Sequence, residues 1–379
     1  MPPYGKISLK DELVPHFTEV FPILPTTDIQ GGLRRLKMGG GLSHFTGCGG
    51  QSIYRGDALP GDLYGDYLLP EPVGRLVRRA KVRNVDGKVV LANAYEREEF
   101  IASMDANFRP VWTATGPDGC VYLCDMYHGI IQEAEWTKQG TYLRPHIKKY
   151  GLDKNINGGR VYRLVWEGKG SRGEPGSPPA QAGSPSSTSA GRRPRMLQET
   201  PAQLVEHLSD RNGWWRDTAQ KLVILRGDKS VVPALREMAR GHANPLARLH
   251  ALWTLEGLDS AEAELVVEKL GDADARVRAA AVRIAEPLIA KDDPRVMEAL
   301  KPLAADADPN VAIQLALSVL YAKHPQADEW VKGILASRER LGLKVEVPKA
   351  VVASYYDAVA KAKEEADRVK RIARRNPQL

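Results

Sequence analysis

The segment GKGSRGEPGSPPAQAGSPSSTSAGRRPR, residues Gly168–Arg195, divides this 379-residue chain into two halves of different character. It is rich in glycine, proline and serine, and it holds too little apolar surface to offset the entropy of ordering it. The residues before it resemble short strands separated by glycine, and those after it resemble helices with a repeating pattern. We therefore expect a multidomain β + α protein: a β domain at 1–167, a disordered linker at 168–197, helical repeats at 198–342 and a charged terminal helix at 343–379.

Seven candidate strands lie in the first half, and Gly, Pro, Asn and Asp separate them at short intervals. They are Gln51–Arg55, Asp66–Leu69, Arg75–Val82, Lys88–Ala92, Pro110–Thr115, Cys120–Asp125 and Arg160–Trp166. Pro117–Gly119 predicts a tight turn, because proline fixes one torsion and glycine accepts a positive φ. A propeller blade holds four strands and a ring needs about four to eight blades. We therefore expect a partial β-propeller of about two blades, a fragment completed by missing blades or by another chain.

Four segments of the second half align on an asparagine or aspartate that can cap a helix. Each cap precedes by three residues the start of an apolar stripe: Asn212 and Trp215, Asn244 and Ala247, Asp274 and Val277, Asp308 and Val311. Partner helices are expected between them at Ala202–Leu208, Val231–Ala239, Ala261–Leu270 and Arg295–Ala304. Helix pairs repeated every 30 to 34 residues predict an α-solenoid similar to HEAT repeats. A last helix, Lys349–Arg374, is expected to cap or extend the stack.

Composition restricts the possible partners. The net charge is +7, but 54 basic side chains are interleaved with 47 acidic ones. The densest basic run, Arg368–Arg375, falls at the predicted C-terminal end of a helix, where cations interact favourably with the helix dipole. We expect a solvated helix end there rather than a nucleic-acid interface. No apolar run of about 18 residues predicts a membrane span, and no signal peptide is predicted at the first residues.

Few residues suggest chemistry, and no catalytic residue can be assigned. Gly32–Leu42 is rich in glycine but lacks the lysine of a phosphate loop. Cys120 and Cys124 lie about 13 Å apart along a strand that rises about 3.3 Å per residue, so they cannot pair with each other. Either could reach Cys48, but we expect three buried thiols. No metal site is predicted, because three histidines lack metal-ligand spacing: His44, His128 and His146.

The segment Ser103–Gly119 is the strongest candidate for a binding site. Asp105 and Arg109 bracket Phe108 just before a strand, where a propeller would present them near its mouth. An arginine there can bind a carboxylate in bidentate fashion. The alternative is an Asp–Arg pair that orders the turn.

Four phrases carry a resemblance to a known family: HFTGCGGQSIYRGDALP (His44–Pro60), YLLPEPVGRLVRRAKV (Tyr67–Val82), EFIASMDANFRPVWTATGPDGCVYLCDMY (Glu99–Tyr127) and GGRVYRLV (Gly158–Val165). They resemble the closing blades of planctomycete-type membrane-bound dehydrogenase-like proteins, which are similar to pyrroloquinoline-quinone (PQQ) sugar dehydrogenases of the glucose/sorbosone class. The resemblance covers nearly all of Tyr4–Trp166 and, less specifically, the helical half. In that family the propeller is followed by HEAT repeats and then by a haem domain with a CxxCH motif.

The resemblance implies PQQ and calcium as cofactors of the full-length family member, which would oxidise a sugar-type alcohol or aldehyde. It implies that Arg109 meets a cofactor carboxylate, whereas the lysine used in the preceding blade corresponds to Val73 here, which counts against quinone binding. No CxxCH motif is present for c-type haem. We therefore expect an inactive isolated chain, from a full-length protein of the periplasm or cell envelope with a haem domain as partner. The alternative is a non-catalytic scaffold that binds a protein or glycan.

Overall fold

The computed structural model describes residues 44–85, 88–131, 134–167 and 192–340, together with residues 20, 21, 42, 364, 367 and 368. Antiparallel sheets occupy residues 44–167, called the β unit below, and helices dominate residues 192–340, called the helical stack. The protein is therefore of mixed β plus α class. Most of the predicted linker lies outside the described residues. Of the predicted helix Lys349–Arg374, only residues 364, 367 and 368 are described, and all three are helical.

The strands of the β unit form two antiparallel sheets. Their bounds are β1 Ser52–Ile53, β2 Tyr67–Glu71, β3 Leu76–Val85, β4 Lys88–Asn93, β5 Ile101–Ala102, β6 Pro110–Thr115, β7 Val121–Asp125 and β8 Arg160–Leu164. The first sheet has the order β1-β2-β3-β4, with β5 paired to the start of β3, and the second has the order β6-β7-β8. A 3₁₀ helix, Ala134–Trp136, and an α-helix, α1 at Leu143–Tyr150, lie between β7 and β8.

The predicted strands are confirmed in position; Pro110–Thr115 also has its predicted bounds, and the other six differ in length. Strand β1 has two residues instead of the predicted Gln51–Arg55, and β3 ends at Val85, three residues after its predicted end. The turn at Pro117–Gly119 is confirmed, because Gly119 has a φ of 78°. The hydroxyl of Tyr54 donates to the carbonyl of Gly119 at 2.7 Å and so fixes this turn against the segment that follows β1.

Residue Gly50 joins the two sheets. It forms a parallel bridge to Trp112 of β6, with its N–H 2.6 Å from the carbonyl of Val111. A Cβ at Gly50 would lie 2.1 Å from the ring of Trp112, so this approach requires glycine. The sheets enclose a shared apolar core made of Tyr54, Leu63, Leu68, Val77, Phe108, Val121 and Leu123.

The helical stack consists mainly of paired helices. Their bounds are α2 Pro201–Glu206, α3 Gly213–Arg226, α4 Val232–Gly241, α5 Pro245–Gly257, α6 Ala263–Leu270, α7 Ala275–Ile284, α8 Glu286–Ile289, α9 Pro294–Leu300, α10 Pro309–Tyr321 and α11 Ala327–Arg340. Helices α3, α5, α7 and α10 begin at the four predicted caps, and each cap side chain accepts a bond from the backbone N–H two residues further on. The four stripe residues three positions after the caps are all buried: Trp215, Ala247, Val277 and Val311.

Arginine side chains form ion pairs between successive loops of the stack. Arg248 and Arg278 each lie four residues after a cap. Arg248 binds both carboxylate oxygens of Asp272, at 2.9 and 2.7 Å, and Arg278 binds Asp306 in the same way, at 2.8 and 2.7 Å. These bidentate bonds link neighbouring helix pairs through charged groups that are mostly shielded from water.

Candidate functional site

Arg109, the predicted cofactor contact, precedes β6 and is fully buried. Its guanidinium donates to backbone carbonyls on two loops, from Nη1 to Pro72 at 2.9 Å and from Nη2 to Gly129 at 3.0 Å. Nε donates to the carbonyl of His128 at 3.3 Å, and the Arg109 backbone N–H donates to Asp125 Oδ1 at 2.7 Å. The side chain therefore ties the β2–β3 turn of one sheet to the loop that follows β7 in the other.

These contacts favour a structural role for Arg109. Because the guanidinium is fully buried against carbonyl groups, a cofactor carboxylate would have to displace them. The side chain of Val73, the residue that the resemblance aligns with a lysine, is also buried. Asp105 orders its own turn by accepting a bond from the backbone N–H of Asn107 at 2.9 Å. The described residues do not fit a quinone clamp, so we derive no catalytic step through a quinone, and the cofactor role of Arg109 stays a prediction.

Other buried charges in the β unit anchor the first of the four family-like phrases. Arg78 and Glu99 form a bidentate ion pair with both side chains fully buried, and the Arg78 guanidinium lies 4.6 Å from the ring centroid of Phe45. The buried Glu71 carboxylate accepts a bond from the N–H of Gly47 at 2.8 Å. Phe45 and Gly47 belong to HFTGCGG, so both residues of this phrase contact buried charges of the β unit.

The β unit docks on the helical stack at the N-terminus of α3. The cap residue Asn212 donates from Nδ2 to the carbonyls of Gly116 and Pro117, at 3.0 and 3.2 Å. Trp215 donates from Nε1 to the carbonyl of Pro117 at 2.7 Å. Asn212 and Trp215 are both buried. The N–H of Gly213 meets the carbonyl of Arg55 at 2.8 Å. The turn that the sequence predicted as a simple hairpin connection is therefore also a docking element.

Arg216 extends this interface because its partners differ from those of the other arginines in the stack. It lies four residues after its cap, as Arg248 does, but the residue that should match Asp272 is His242. Arg216 instead donates to the hydroxyl of Tyr64 in the β unit at 3.2 Å, and its Nε lies 3.4 Å from Nε2 of His250. Burial, with the Arg216 cation beside it, lowers the pKa of His250 to about 4. The ring is therefore neutral at neutral pH.

A second contact lies further along the stack. The hairpin of β3 and β4 extends from the core, and Asn84 donates to the side-chain oxygen of Asn310, at the start of α10, at 2.8 Å. Beside this contact, an open cleft of about 420 Å³ runs between α5, α7 and α10. Its lining residues are Leu249, Trp253, Ala275, Arg276, Ala279, Ala280, Arg283, Asp308, Asn310 and Gln314.

The cysteines and histidines singled out in the sequence do not form one site. All three cysteines are free thiols; Cys120 is buried and Cys124 half-buried. The prediction of a wholly buried set is wrong for Cys48, which lies exposed in the segment before β1. His128 contacts the carbonyl of Ile130, and His146 lies between two tyrosine rings in and beside α1.

Within the described ranges, no group of three or more His, Cys, Asp and Glu side chains could hold a metal ion. Among the same residues, no helix is both long and apolar enough to cross a membrane.

Comparison with known proteins gives one match. A family model described as a domain of unknown function (DUF7133) matches residues 6–168. The similarity therefore covers the β unit and ends before the helical stack. No curated protein matches the chain, and neither does any solved structure. What the fold and these sites define is thus a mixed β plus α protein with a DUF7133-like β unit docked on a helical stack.

Proposed function

We propose that this chain supplies the C-terminal propeller blades and the HEAT repeats of a quinoprotein-type sugar or alcohol dehydrogenase-like protein, and that it is inactive in isolation. In this role the β unit supplies closing blades of a β-propeller, and the helical stack, as a HEAT-like solenoid, supports those blades. The observation that carries the proposal is the open edge of β8.

Among the described residues, β8 pairs with β7 alone, in a sheet of three strands. Apolar side chains in and after β8 face water: Val161 is 62% exposed and Trp166 is 47% exposed. An open edge with exposed apolar residues is a template for a further strand, and natural proteins normally block or cover such edges. A propeller blade has four strands. A strand from another blade segment would complete this sheet and cover both side chains.

The interface at α3 supports the role of the helical stack as a platform. Asn212 and Trp215 fasten the Pro117 turn with buried hydrogen bonds, and Arg55 forms an ion pair with Asp217 beside them. Because these contacts hold the turn between β6 and β7, they fix the sheet whose other side ends in the open edge of β8. A supported sheet with one free edge suits a part that receives further strands.

The cofactors in this proposal belong to the full-length protein. PQQ and calcium would supply the hydride-accepting chemistry there, and a haem domain would accept electrons from it. From this chain, the resemblance offers Arg109 alone, and that side chain already binds carbonyls of both sheets. The residues described here therefore act as a support for the reaction centre.

Two measurements test the proposal. The purified chain is assayed for dye-linked oxidation of aldoses with added PQQ and calcium, and it is also co-expressed with a polypeptide that carries the upstream propeller blades of the proposed full-length protein. We expect no turnover by the chain alone, a stable complex on gel filtration, and slower amide exchange in β8 within that complex. Turnover by the chain alone contradicts the non-catalytic role, and failure to form the complex contradicts the blade role.

A matched pair of variants locates the contact. Val161→Lys places a charge beside the open edge and should weaken the complex about tenfold or more, since an edge lysine opposes strand addition. Val89→Lys is the control, because Val89 is 69% exposed on β4 in the other sheet. Equal weakening by both variants would show that β8 is not the contact.

A further inference from the structure

Three alanines of α7 line the cleft in the helical stack: Ala275, Ala279 and Ala280. Ala279 of α7 lies five residues after its cap, at the position where α5 carries Leu249 and α10 carries Ile313. Leu249 and Ala279 both line the cleft, whose volume is about 420 Å³. Small-molecule sites usually have about 300–1,000 Å³. The cleft is therefore large enough for a ligand of one or two rings.

Trp253 forms an aromatic wall of the cleft. Its side chain is only partly buried, and it packs against the core of the stack. Within the described part of the chain its indole N–H donates to no acceptor, and the nitrogen is not one of the buried side-chain atoms that lack a partner, so it is open to solvent. A ligand in the cleft can therefore use both the flat face of the indole and its hydrogen-bond donor.

Polar groups on the rim offer further hydrogen bonds. Gln314 on α10 uses Nε2 to donate to Ser318 Oγ at 3.0 Å, which leaves its amide oxygen available as an acceptor. Arg276 on α7 binds Asp274 through Nε and Nη2, at 3.0 and 2.8 Å, and its Nη1 is not used in that pair. The rim therefore presents at least one acceptor and one donor in addition to the indole N–H.

The charges around the cleft are balanced within the protein. Arg276 pairs with Asp274, and Arg283 pairs with Glu286. Asp308 accepts the N–H of Asn310 at 2.8 Å as a helix cap. An anionic or cationic ligand would gain little here, because each nearby charge already has a partner. A neutral ligand that can both donate and accept hydrogen bonds matches such a rim.

We propose that this cleft binds a neutral saccharide of one or two units, with one sugar ring lying on the indole of Trp253. The C–H face of a sugar ring can pack on an aromatic plane, and each hydroxyl can both donate and accept, so hydroxyls can meet the indole N–H, the Gln314 oxygen and Arg276 Nη1. The Asn84–Asn310 contact places the β3–β4 hairpin beside one end of the cleft. This site belongs to the helical stack and does not depend on the role proposed for the β unit.

The test uses saturation-transfer NMR and calorimetry on the whole chain, with a panel of neutral disaccharides: maltose, cellobiose, trehalose, lactose and sucrose. We expect at least one of them to bind, and Trp253→Ala to weaken that binding about tenfold or more. Gln314→Leu lies at the rim and should weaken binding several-fold without affecting the core. Leu197→Ala, which removes an exposed apolar side chain before α2, is the control and should bind as the unaltered protein does.

The other outcomes overturn the proposal. Absence of binding by the whole neutral panel does so, as does equal binding by the unaltered protein and the Gln314→Leu and Trp253→Ala variants. Stronger binding of glucose 6-phosphate than of any neutral sugar would show that unpaired cations, rather than the neutral rim, select the ligand. Binding of a peptide library at Trp253 with no sugar binding would assign the cleft to a protein partner. Circular dichroism checks that each variant is folded. If Trp253→Ala does not fold, the Gln314→Leu variant still decides the test.

Discussion

Replacing Arg109 by methionine should destabilise the β unit, because methionine fills much of the same space and removes the guanidinium. Two hydrogen bonds of the Arg109 guanidinium are short: one to the carbonyl of Pro72 at 2.9 Å and one to the carbonyl of Gly129 at 3.0 Å. A hydrogen bond from a charged donor contributes about 1.5–3 kcal/mol, and the two carbonyls would stay buried without a donor. At the low end of that range, the loss for the two bonds is about 3 kcal/mol. Arg109→Lys keeps the charge but cannot span both loops, so it should lose about half as much.

Urea unfolding followed by circular dichroism measures this loss from the shift of the midpoint, provided the slope is unchanged. Arg83→Met, at an exposed position of β3, is the matched control and should change the free energy of unfolding by less than about 0.5 kcal/mol. Each protein is also unfolded with PQQ and calcium present. A loss below about 1 kcal/mol for Arg109→Met without ligand would refute the clamp. If PQQ also stabilised the unaltered protein but not the variant, Arg109 would be a cofactor contact after all.

Two further predictions concern the interface between the β unit and the helical stack. Asn212→Asp keeps the cap of α3 but replaces the amide donor with a carboxylate that faces the carbonyls of Gly116 and Pro117. Limited proteolysis should therefore separate the two halves faster, while the helix content stays unchanged. Equal cleavage rates of the variant and the unaltered protein would contradict the docking role. The pKa of His250 is lowered from 6.5 to about 4, so its contribution to stability is complete above pH 6.5 and is lost as the pH falls towards 4. His250→Gln should flatten the dependence of the melting temperature on pH in that window, and an unchanged profile would show that another group is responsible.

The parts of the fold that the sequence predicted well depend on local chemistry. The four caps could be found because a cap needs an Asn or Asp next to the helix it starts, and the strands because glycine and proline interrupt them. Strand β5 was missed because its two residues are held by a distant partner, β3. Helix α1 was missed although Leu143 and Ile147 are spaced for one buried face and Gly151 ends the helix with a φ of 59°.

The candidate sites were harder to predict, because each depends on which groups meet across the chain. Arg109 was singled out as a cofactor contact, a role that stays a prediction, whereas the partners that it has in the fold are carbonyl groups, which any residue supplies and no pattern reveals. Asn212 was recognised as a cap, yet its amide nitrogen faces the turn at Gly116 and Pro117, which lies almost 100 residues earlier in the chain. Sequence patterns show the oxygen that caps a helix, and only the fold shows where the nitrogen of the same side chain points.

The irregularity at His242 explains how a repeating stack can hold a different kind of domain. Where the repeat is regular, an aspartate such as Asp272 holds the arginine of the preceding helix pair and directs it along the stack. At the first pair, the matching position is His242, whose Nδ1 accepts the N–H of Asn244 at 3.0 Å. Because His242 does not bind Arg216 as an aspartate would, that guanidinium is available to Tyr64 of the β unit. A departure from the repeat at one loop residue thus turns an internal link of the stack into a contact with the neighbouring domain.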